Sequence, residues 1–128
     1  MVTYHMSKVG INELKQRAKQ GDMIATFLCG RAYASGALGI ARHYKKGFDF
    51  YEDGTVTNNA LCIYGLATCY EQGLYRGCKQ TAKELFIKAF PQIEKDAQGG
   101  CKYSQYAYAN YFWFPLGAVE KDLEKAVE

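Results

Sequence analysis

One spaced set of small and aromatic residues occurs three times in this chain, and such repetition restricts the fold more than any single residue does. Each copy places a small residue three positions before an aromatic one: Gly30 and Tyr33, Ala67 and Tyr70, Ala109 and Phe112. The first two copies then end at Gly36 and Gly73, whereas Pro115 stands at that position in the third. The copies begin 37 and then 42 residues apart, which is a period typical of stacked helical hairpins.

The first half of the chain has the apolar spacing of short helices separated by turns. We expect a helix over 11–19 and a second over 22–35, capped at its first residue and ended by Gly36. Apolar residues at spacings of three and four predict a third helix over 41–54, which ends at Gly54.

The second half continues the same pattern. Polar caps predict the start of a helix over 57–72 that Gly73 ends. An amphipathic helix follows over 82–89, and we expect a kink or break at Pro91, which has no backbone N–H to donate. The third helix that carries the repeated motif is expected over 103–114.

The aromatic run over 106–114 also suits a β-strand. Its alanines and its register with the first copy favour a helix instead. One more helix is expected to begin near Val119. The sequence therefore predicts an all-α protein.

Charge and apolar patterning exclude several classes of function. The chain of 128 residues carries a formal net charge of +3, with scattered lysines rather than the basic stripe that nucleic-acid binding needs. It has no apolar run of about 18 residues that could span a membrane, and its amino terminus has no apolar run of signal-peptide length. We therefore expect a single cytoplasmic domain that binds neither nucleic acid nor membranes.

The cysteines argue against a metal site. There are five of them with no CxxC pair, and two histidines add too few ligands for zinc. Cys29, Cys62 and Cys69 lie in apolar helical patterns, where a free thiol packs like a small apolar side chain. We expect reduced thiols in the core, with a disulfide between Cys69 and Cys78 as the alternative, and no metal ion or cofactor.

Residues 18–36 read AxxGDxxAxxxxGxxYxxG, a pattern that resembles the Sel1-like repeat, a relative of the tetratricopeptide repeat. The segment over 116–128 resembles the second helix of the same repeat. The resemblance implies a right-handed α-solenoid of about three antiparallel helical hairpins, with units over 8–36, 37–73 and 74–128. Because the last helix has barely begun at Glu128, we expect a fragment of a longer array, with a capping helix as the alternative.

The residues shared between copies have structural explanations. Gly30 and Ala109 would let two helices approach closely, and Gly36 and Gly73 would turn the chain. The repeated aromatic residues would fill the wedges between hairpins: Tyr33, Tyr70 and Phe112. Specificity is therefore expected at other positions.

The helices that carry the repeated motif would line a concave groove. Their register places three rows along it: Phe27, Tyr64 and Tyr106; Arg31, Thr68 and Asn110; and Ile24, Leu61 and Tyr103. Tyrosine is frequent in binding hot spots, although packing is the simpler explanation of the first row and plain solvent exposure the alternative for the second. We take the polar second row and its aromatic neighbours, including Tyr103, as the candidate partner-binding residues.

Catalytic motifs are missing from the sequence, which has no Gly-rich phosphate loop, no HExxH and no GxSxG. A Cys–His pair of His43 with Cys29 or Cys62 is conceivable, but a lone histidine among polar residues is more often a solvated surface residue. A run of lysines is most simply a solvated helix face: Lys79, Lys83 and Lys88. We therefore assign no catalytic residue.

These observations predict a protein–protein interaction scaffold or adaptor that holds a peptide or protein partner in its groove. The resemblance implies scaffolding of signalling or secretion-related complexes and, in bacteria, an inhibitor or immunity-type binding protein. The alternative is a thiol-dependent or hydrolytic enzyme that uses a cysteine and His43. Weak nucleic-acid binding through the lysine face is a third hypothesis.

Overall fold

The computed structural model of the chain describes residues 6–37, 39–73 and 79–113, and helices make up the regular structure of these residues. Within these residues there are six helices and no strand: α1 (Met6–Lys19), α2 (Met23–Ser35), α3 (Tyr44–Val56), α4 (Ala60–Gln72), α5 (Lys79–Gln98) and α6 (Lys102–Trp113). The predicted all-α class is confirmed. Cys78 and the helix expected near Val119 lie outside the described residues.

The two complete helices that carry the repeated motif begin and end with the same chemistry. The Asp22 side chain accepts a hydrogen bond from the backbone N–H three residues later in α2, and the Asn59 side chain does the same for α4. Each helix then ends at a glycine in the left-handed region, Gly36 with φ 76° and Gly73 with φ 66°. Both predicted stops are confirmed, because only glycine adopts this conformation without strain.

The predicted bounds of α3 are wrong at both ends. The helix begins at Tyr44 rather than at Ala41, because the His43 side chain caps it by accepting a hydrogen bond from the backbone N–H of Lys46 at 3.2 Å. It continues through Gly54 to Val56. Gly54 is buried, and a Cβ there would overlap the Cys62 side chain of α4. This glycine therefore permits close packing of two helices and does not end one.

We expect a kink or a break at Pro91, and the break is wrong, since α5 is one helix from Lys79 to Gln98. Proline removes the hydrogen bond that its N–H would donate to the carbonyl of Ile87. Both residues are exposed, so water can satisfy that carbonyl. The helix accommodates the proline because it lies on the solvent side.

Successive helices pack against each other, and α4 also contacts both α2 and α6. Among the described helices, α1, α3 and α5 make no such contacts with one another. The helices α2, α4 and α6 therefore form an inner layer of helices in contact. The helices α1, α3 and α5 form a second layer of separated helices, and two such layers are the arrangement of an α-solenoid. No described helix combines the length and the apolarity that crossing a bilayer requires.

Tyr51 of α3 is wedged between the two neighbouring helices of the inner layer. A Cβ at Gly30 of α2 would lie 2.6 Å from the Tyr51 ring, and a Cβ at Gly65 of α4 would lie closer still. Both distances are far inside van der Waals contact, so neither glycine can be replaced without moving the ring. The predicted close approach at Gly30 is present, and its partner is an aromatic side chain.

The repeated aromatic residues each contact a ring on a neighbouring helix. Tyr33 stacks on Phe50, with centroids 5.8 Å apart and planes inclined by 8°. The other two pairs have centroids 5.6 Å and 6.1 Å apart: Tyr70 with Phe48, and Phe112 with Phe90. Such pairs add to the stability gained from burial alone.

Replacing Gly65 by alanine should lower the free energy of unfolding by about 1–3 kcal/mol, because the new methyl group overlaps the Tyr51 ring. The measurement is urea-induced unfolding. Gly99→Ala is the matched control, since a Cβ there comes no closer than 3.5 Å to the atoms around it. In a Tyr51→Leu background the loss should shrink. Equal losses in both backgrounds would contradict the wedge.

Replacing Pro91 by alanine should raise the free energy of unfolding by about 1–3 kcal/mol, because alanine restores a hydrogen bond within a continuous helix. Thermal unfolding followed by circular dichroism measures the change. A lower melting temperature in Pro91→Ala would show that the proline supports α5 rather than merely being accommodated by it.

Candidate functional site

A cavity of about 430 Å³ opens on the face formed by α2, α4 and α6. We call it the groove. Its deep part consists of aromatic side chains that are at least nine-tenths buried: Phe27, Tyr51, Tyr64 and Phe86. Its edges are the polar side chains of the three helices. The groove therefore combines an apolar floor with a polar rim, as sites for peptide segments do.

Six of the seven candidate residues line this groove: Phe27, Arg31, Tyr64, Thr68, Tyr106 and Asn110. Tyr103 does not. Its ring packs edge-on against Phe27, with centroids 6.4 Å apart, and Lys102 Nζ lies 5.1 Å from its centroid. Tyr103 therefore packs against Phe27 and lies outside the lining of the groove.

The aromatic row divides between packing and exposure. Phe27 and Tyr64 are each only 7% exposed, so packing explains both. Tyr106 is 58% exposed. An aromatic side chain this exposed contributes little to the core and is available for contact with a partner.

Arg31 and Tyr106 meet at the mouth of the groove. The guanidinium carbon of Arg31 lies 5.3 Å from the centroid of the Tyr106 ring, which is a cation–π contact. Arg31 is exposed and forms no ion pair within the described part of the chain. Its planar fork of N–H donors is therefore free to bind a carboxylate in two-point geometry.

The other two polar candidates are held in place by hydrogen bonds. The Thr68 hydroxyl donates to the carbonyl of Gly65 at 2.6 Å. The Asn110 amide donates to the Tyr64 hydroxyl at 3.0 Å and so links α6 to α4 across the groove. Burial raises the pKa of Tyr64, while the hydrogen bond from Asn110 opposes that rise. Tyr64 therefore stays protonated, and its hydroxyl can donate a hydrogen bond to a ligand.

Several lining residues do not follow from the register of the repeated motif. Tyr51 comes from α3 and Phe86 from α5, helices that lie outside that register. Glu71 and Gln72 lie in the last turn of α4, beyond the rows considered. The signal for Tyr51 is the pair of glycines, Gly30 and Gly65, that leave room for its ring. Only the packing of α2 on α4 shows that these two glycines contact the same ring.

The arrangement of cysteines and histidine provides no activated nucleophile among the described residues. Burial raises the pKa of Cys29 to about 11 and that of Cys62 to about 12, so both stay protonated at neutral pH. The Nδ1 atom of His43 accepts a hydrogen bond from the backbone N–H of Lys46 as the cap of α3. His43 is exposed, and its described side-chain hydrogen bond is this cap.

The α5 lysines whose side chains are described lie outside the groove lining. Lys83 and Lys88 are exposed on α5, while the Lys79 side chain lies outside the described residues. The described chain contains no cluster of three potential metal ligands. Cys69 is a buried thiol on the groove lining, and its pKa is raised to about 11 by burial. The alternative pairing with Cys78 falls on a residue outside those described.

Buried thiols should react more slowly than Cys101, the partly exposed one. Near neutral pH, iodoacetamide followed by peptide mapping should label Cys101 well before Cys29, Cys62 and Cys69. Because burial raises their pKa values from 9.0 to between about 11 and 12, the neutral thiols stabilise the fold below about pH 9. This contribution is lost as the pH rises through those values.

Protein unfolded in urea is the control for this labelling, since all thiols should then react alike. Rapid labelling of Cys29 or Cys62 in the folded protein would contradict the assignment of both as core residues.

Comparison with known proteins adds to this geometry. The sequence matches no family model and no curated protein. It is similar in structure to a protective antigen present in uropathogenic Escherichia coli strains that displays an SLR fold, with 23% identity and a TM-score of 0.59 over 98% of this chain and 32% of that one. A Sel1 repeat protein from Oxalobacter formigenes shares 20% identity, with a TM-score of 0.53 over 91% of this chain and 45% of its own.

This chain therefore spans about a third of the length of the first structure and less than half of the second. Both similarities cover nearly all of the helices described above. Together with the repeated motif and the two-layer arrangement, they show that the protein has the Sel1-like repeat fold, an all-α solenoid.

Proposed function

We propose that this protein is an interaction scaffold or adaptor that binds a peptide segment of a protein partner in the groove. The observation that carries the proposal is the Arg31–Tyr106 contact at the rim, where an exposed aromatic ring and an exposed guanidinium lie above an aromatic floor. Tyrosine and arginine are the residues most enriched in interface hot spots, together with tryptophan.

The groove offers three kinds of contact to a peptide. Its aromatic floor, with Tyr51 and Phe86, suits an apolar side chain of the peptide. Tyr64 and Asn110 lie beside that floor and supply a hydroxyl donor and an amide oxygen for peptide backbone groups. Arg31 suits a carboxylate next to the apolar residue.

Preorganisation favours binding. Hydrogen bonds fix Thr68 and Asn110, and packing fixes Tyr64, before any ligand arrives. Less conformational entropy is then lost on binding, which increases the affinity obtained from a small contact area. Such a groove supports recognition of a short segment without rearrangement of the helices.

An inhibitor or immunity-type role is a narrower form of the same proposal, in which one protein partner is bound tightly. The two solved structures described above come from bacteria, which is compatible with that role. The enzyme and nucleic-acid hypotheses gain no support from the described residues. Burial keeps Cys29 and Cys62, the two thiols considered as partners of His43, protonated. The exposed lysines of α5 lie apart from the groove.

Capture of partners from the native host tests the groove. The double variant Arg31→Glu/Tyr106→Ala should lose a partner that the wild-type protein captures, and with that partner purified its affinity should fall at least about tenfold. Isothermal titration calorimetry measures the affinity. Both residues are exposed, so the melting temperature should stay close to that of the wild type.

The chain offers a matched control in Arg42 and Tyr44, a second cation–π pair with 5.8 Å between guanidinium carbon and ring centroid. This pair lies outside the groove lining. Arg42→Glu/Tyr44→Ala makes the same chemical change and should leave capture intact. Equal capture by the groove variant and the control variant would reject the groove as the binding site.

A further inference from the structure

A second cavity, of about 440 Å³, lies between α1, α2 and α3. It shares no lining residue with the groove. We call it the lysine pocket, after its three cationic residues Lys15, Lys19 and Lys46. Its remaining walls are mostly apolar, with Ala18, Met23, Tyr33 and Phe50, and one carboxylate, Asp53, also lines it. Positive charge is therefore in excess in this pocket.

Two nearby cations, Arg17 of α1 and Lys45 of α3, form ion pairs, whereas the described residues provide none for the three pocket lysines. Arg17 pairs with Glu13 at 2.6 Å on α1, and Lys45 pairs with Asp49 at 2.9 Å on α3. No ion pair of Lys15, Lys19 or Lys46 is found within residues 6–37, 39–73 and 79–113. The described carboxylates of Glu13 and Asp49 thus pair with neighbours of the pocket, and the pocket itself keeps an excess of positive charge, with three lysines against Asp53.

Two of the ammonium groups converge on one aromatic ring. Lys15 Nζ lies 5.2 Å from the Tyr33 centroid and Lys46 Nζ lies 5.4 Å from it. These two lysines come from different helices, and their mutual repulsion is only partly offset by the ring. Stability of the helices does not explain Lys46, because a cation in the first turn of α3 is unfavourable to the helix dipole.

We propose that the lysine pocket binds an acidic peptide segment of a protein partner, in which a glutamate or aspartate lies next to an apolar residue. The carboxylate would lie between Lys15 and Lys46, and the apolar residue would pack on Met23 and Phe50. We choose an acidic occupant because the pocket has an excess of positive charge. Three lysines around one pocket suit a short carboxylate-bearing segment, whereas a polynucleotide needs a longer basic track.

The site is independent of the groove. Its α2 residues, Met23, Thr26 and Tyr33, lie on a different face of the helix from Phe27 and Arg31. A partner that occupies both sites would contact α2 at two points. Failure of either site in its own test therefore leaves the other unaffected.

Fluorescence anisotropy with a labelled peptide of alternating glutamate and leucine tests the proposal. Wild-type protein should bind this peptide with an affinity that falls as salt rises, and should not bind the peptide with glutamine in place of each glutamate. Lys15→Gln/Lys46→Gln should weaken binding by about fivefold or more, as expected for the loss of two partly exposed ion pairs. Lys15→Arg/Lys46→Arg should retain it.

Lys45→Gln is the matched control, because it removes one lysine next to Lys46 that is already paired with Asp49.

Amide shift mapping by NMR on the wild-type protein locates the peptide whatever the stability of the variants, and the changes should centre on Lys15, Tyr33 and Lys46. Three results would overturn the proposal: no binding by the wild type, equal binding of the glutamine peptide, or shift changes that centre on Arg31 and Tyr106. Tighter binding of single-stranded polynucleotide would also overturn it.

Discussion

The approach of α2 to α4 across the ring of Tyr51 is the constraint on which the rest of the structure depends. Gly30 and Gly65 leave the space, and the ring fills it from α3. The width of the ring therefore sets the separation of the two helices. That separation in turn sets where Arg31 and Thr68 stand over the floor of the groove, which Tyr51 itself helps to form. One contact fixes both the stacking of the repeats and the shape of the candidate site.

Much of the fold could be predicted because local chemistry decided it. Asp22 and Asn59 cap their helices, and Gly36 and Gly73 end them, through interactions within a few residues of chain. Six groove residues could be predicted as well, because a shared register places them on one face of successive helices.

Other features depend on tertiary packing, which no local pattern reports. Gly54 resembles a helix stop in sequence, yet it lies within α3 because Cys62 needs the space. Pro91 is accommodated because its side of α5 faces solvent. The repeated register does not predict Tyr51 as a groove residue, because Tyr51 belongs to a helix outside that register. The register places Tyr103 in the groove, but it does not specify the direction in which the ring points.

The contact of Arg31 with Tyr106 has a kinetic consequence. It joins a side chain of α2 to a side chain of α6 at the mouth of the groove and involves no backbone atom. An exposed cation–π contact contributes only about 0.5–1 kcal/mol, which is comparable to thermal energy. Exposed side chains change rotamer within picoseconds to nanoseconds. A ligand that passes between the two side chains therefore waits only for their rotamer changes and not for the slower movement of one hairpin against the next.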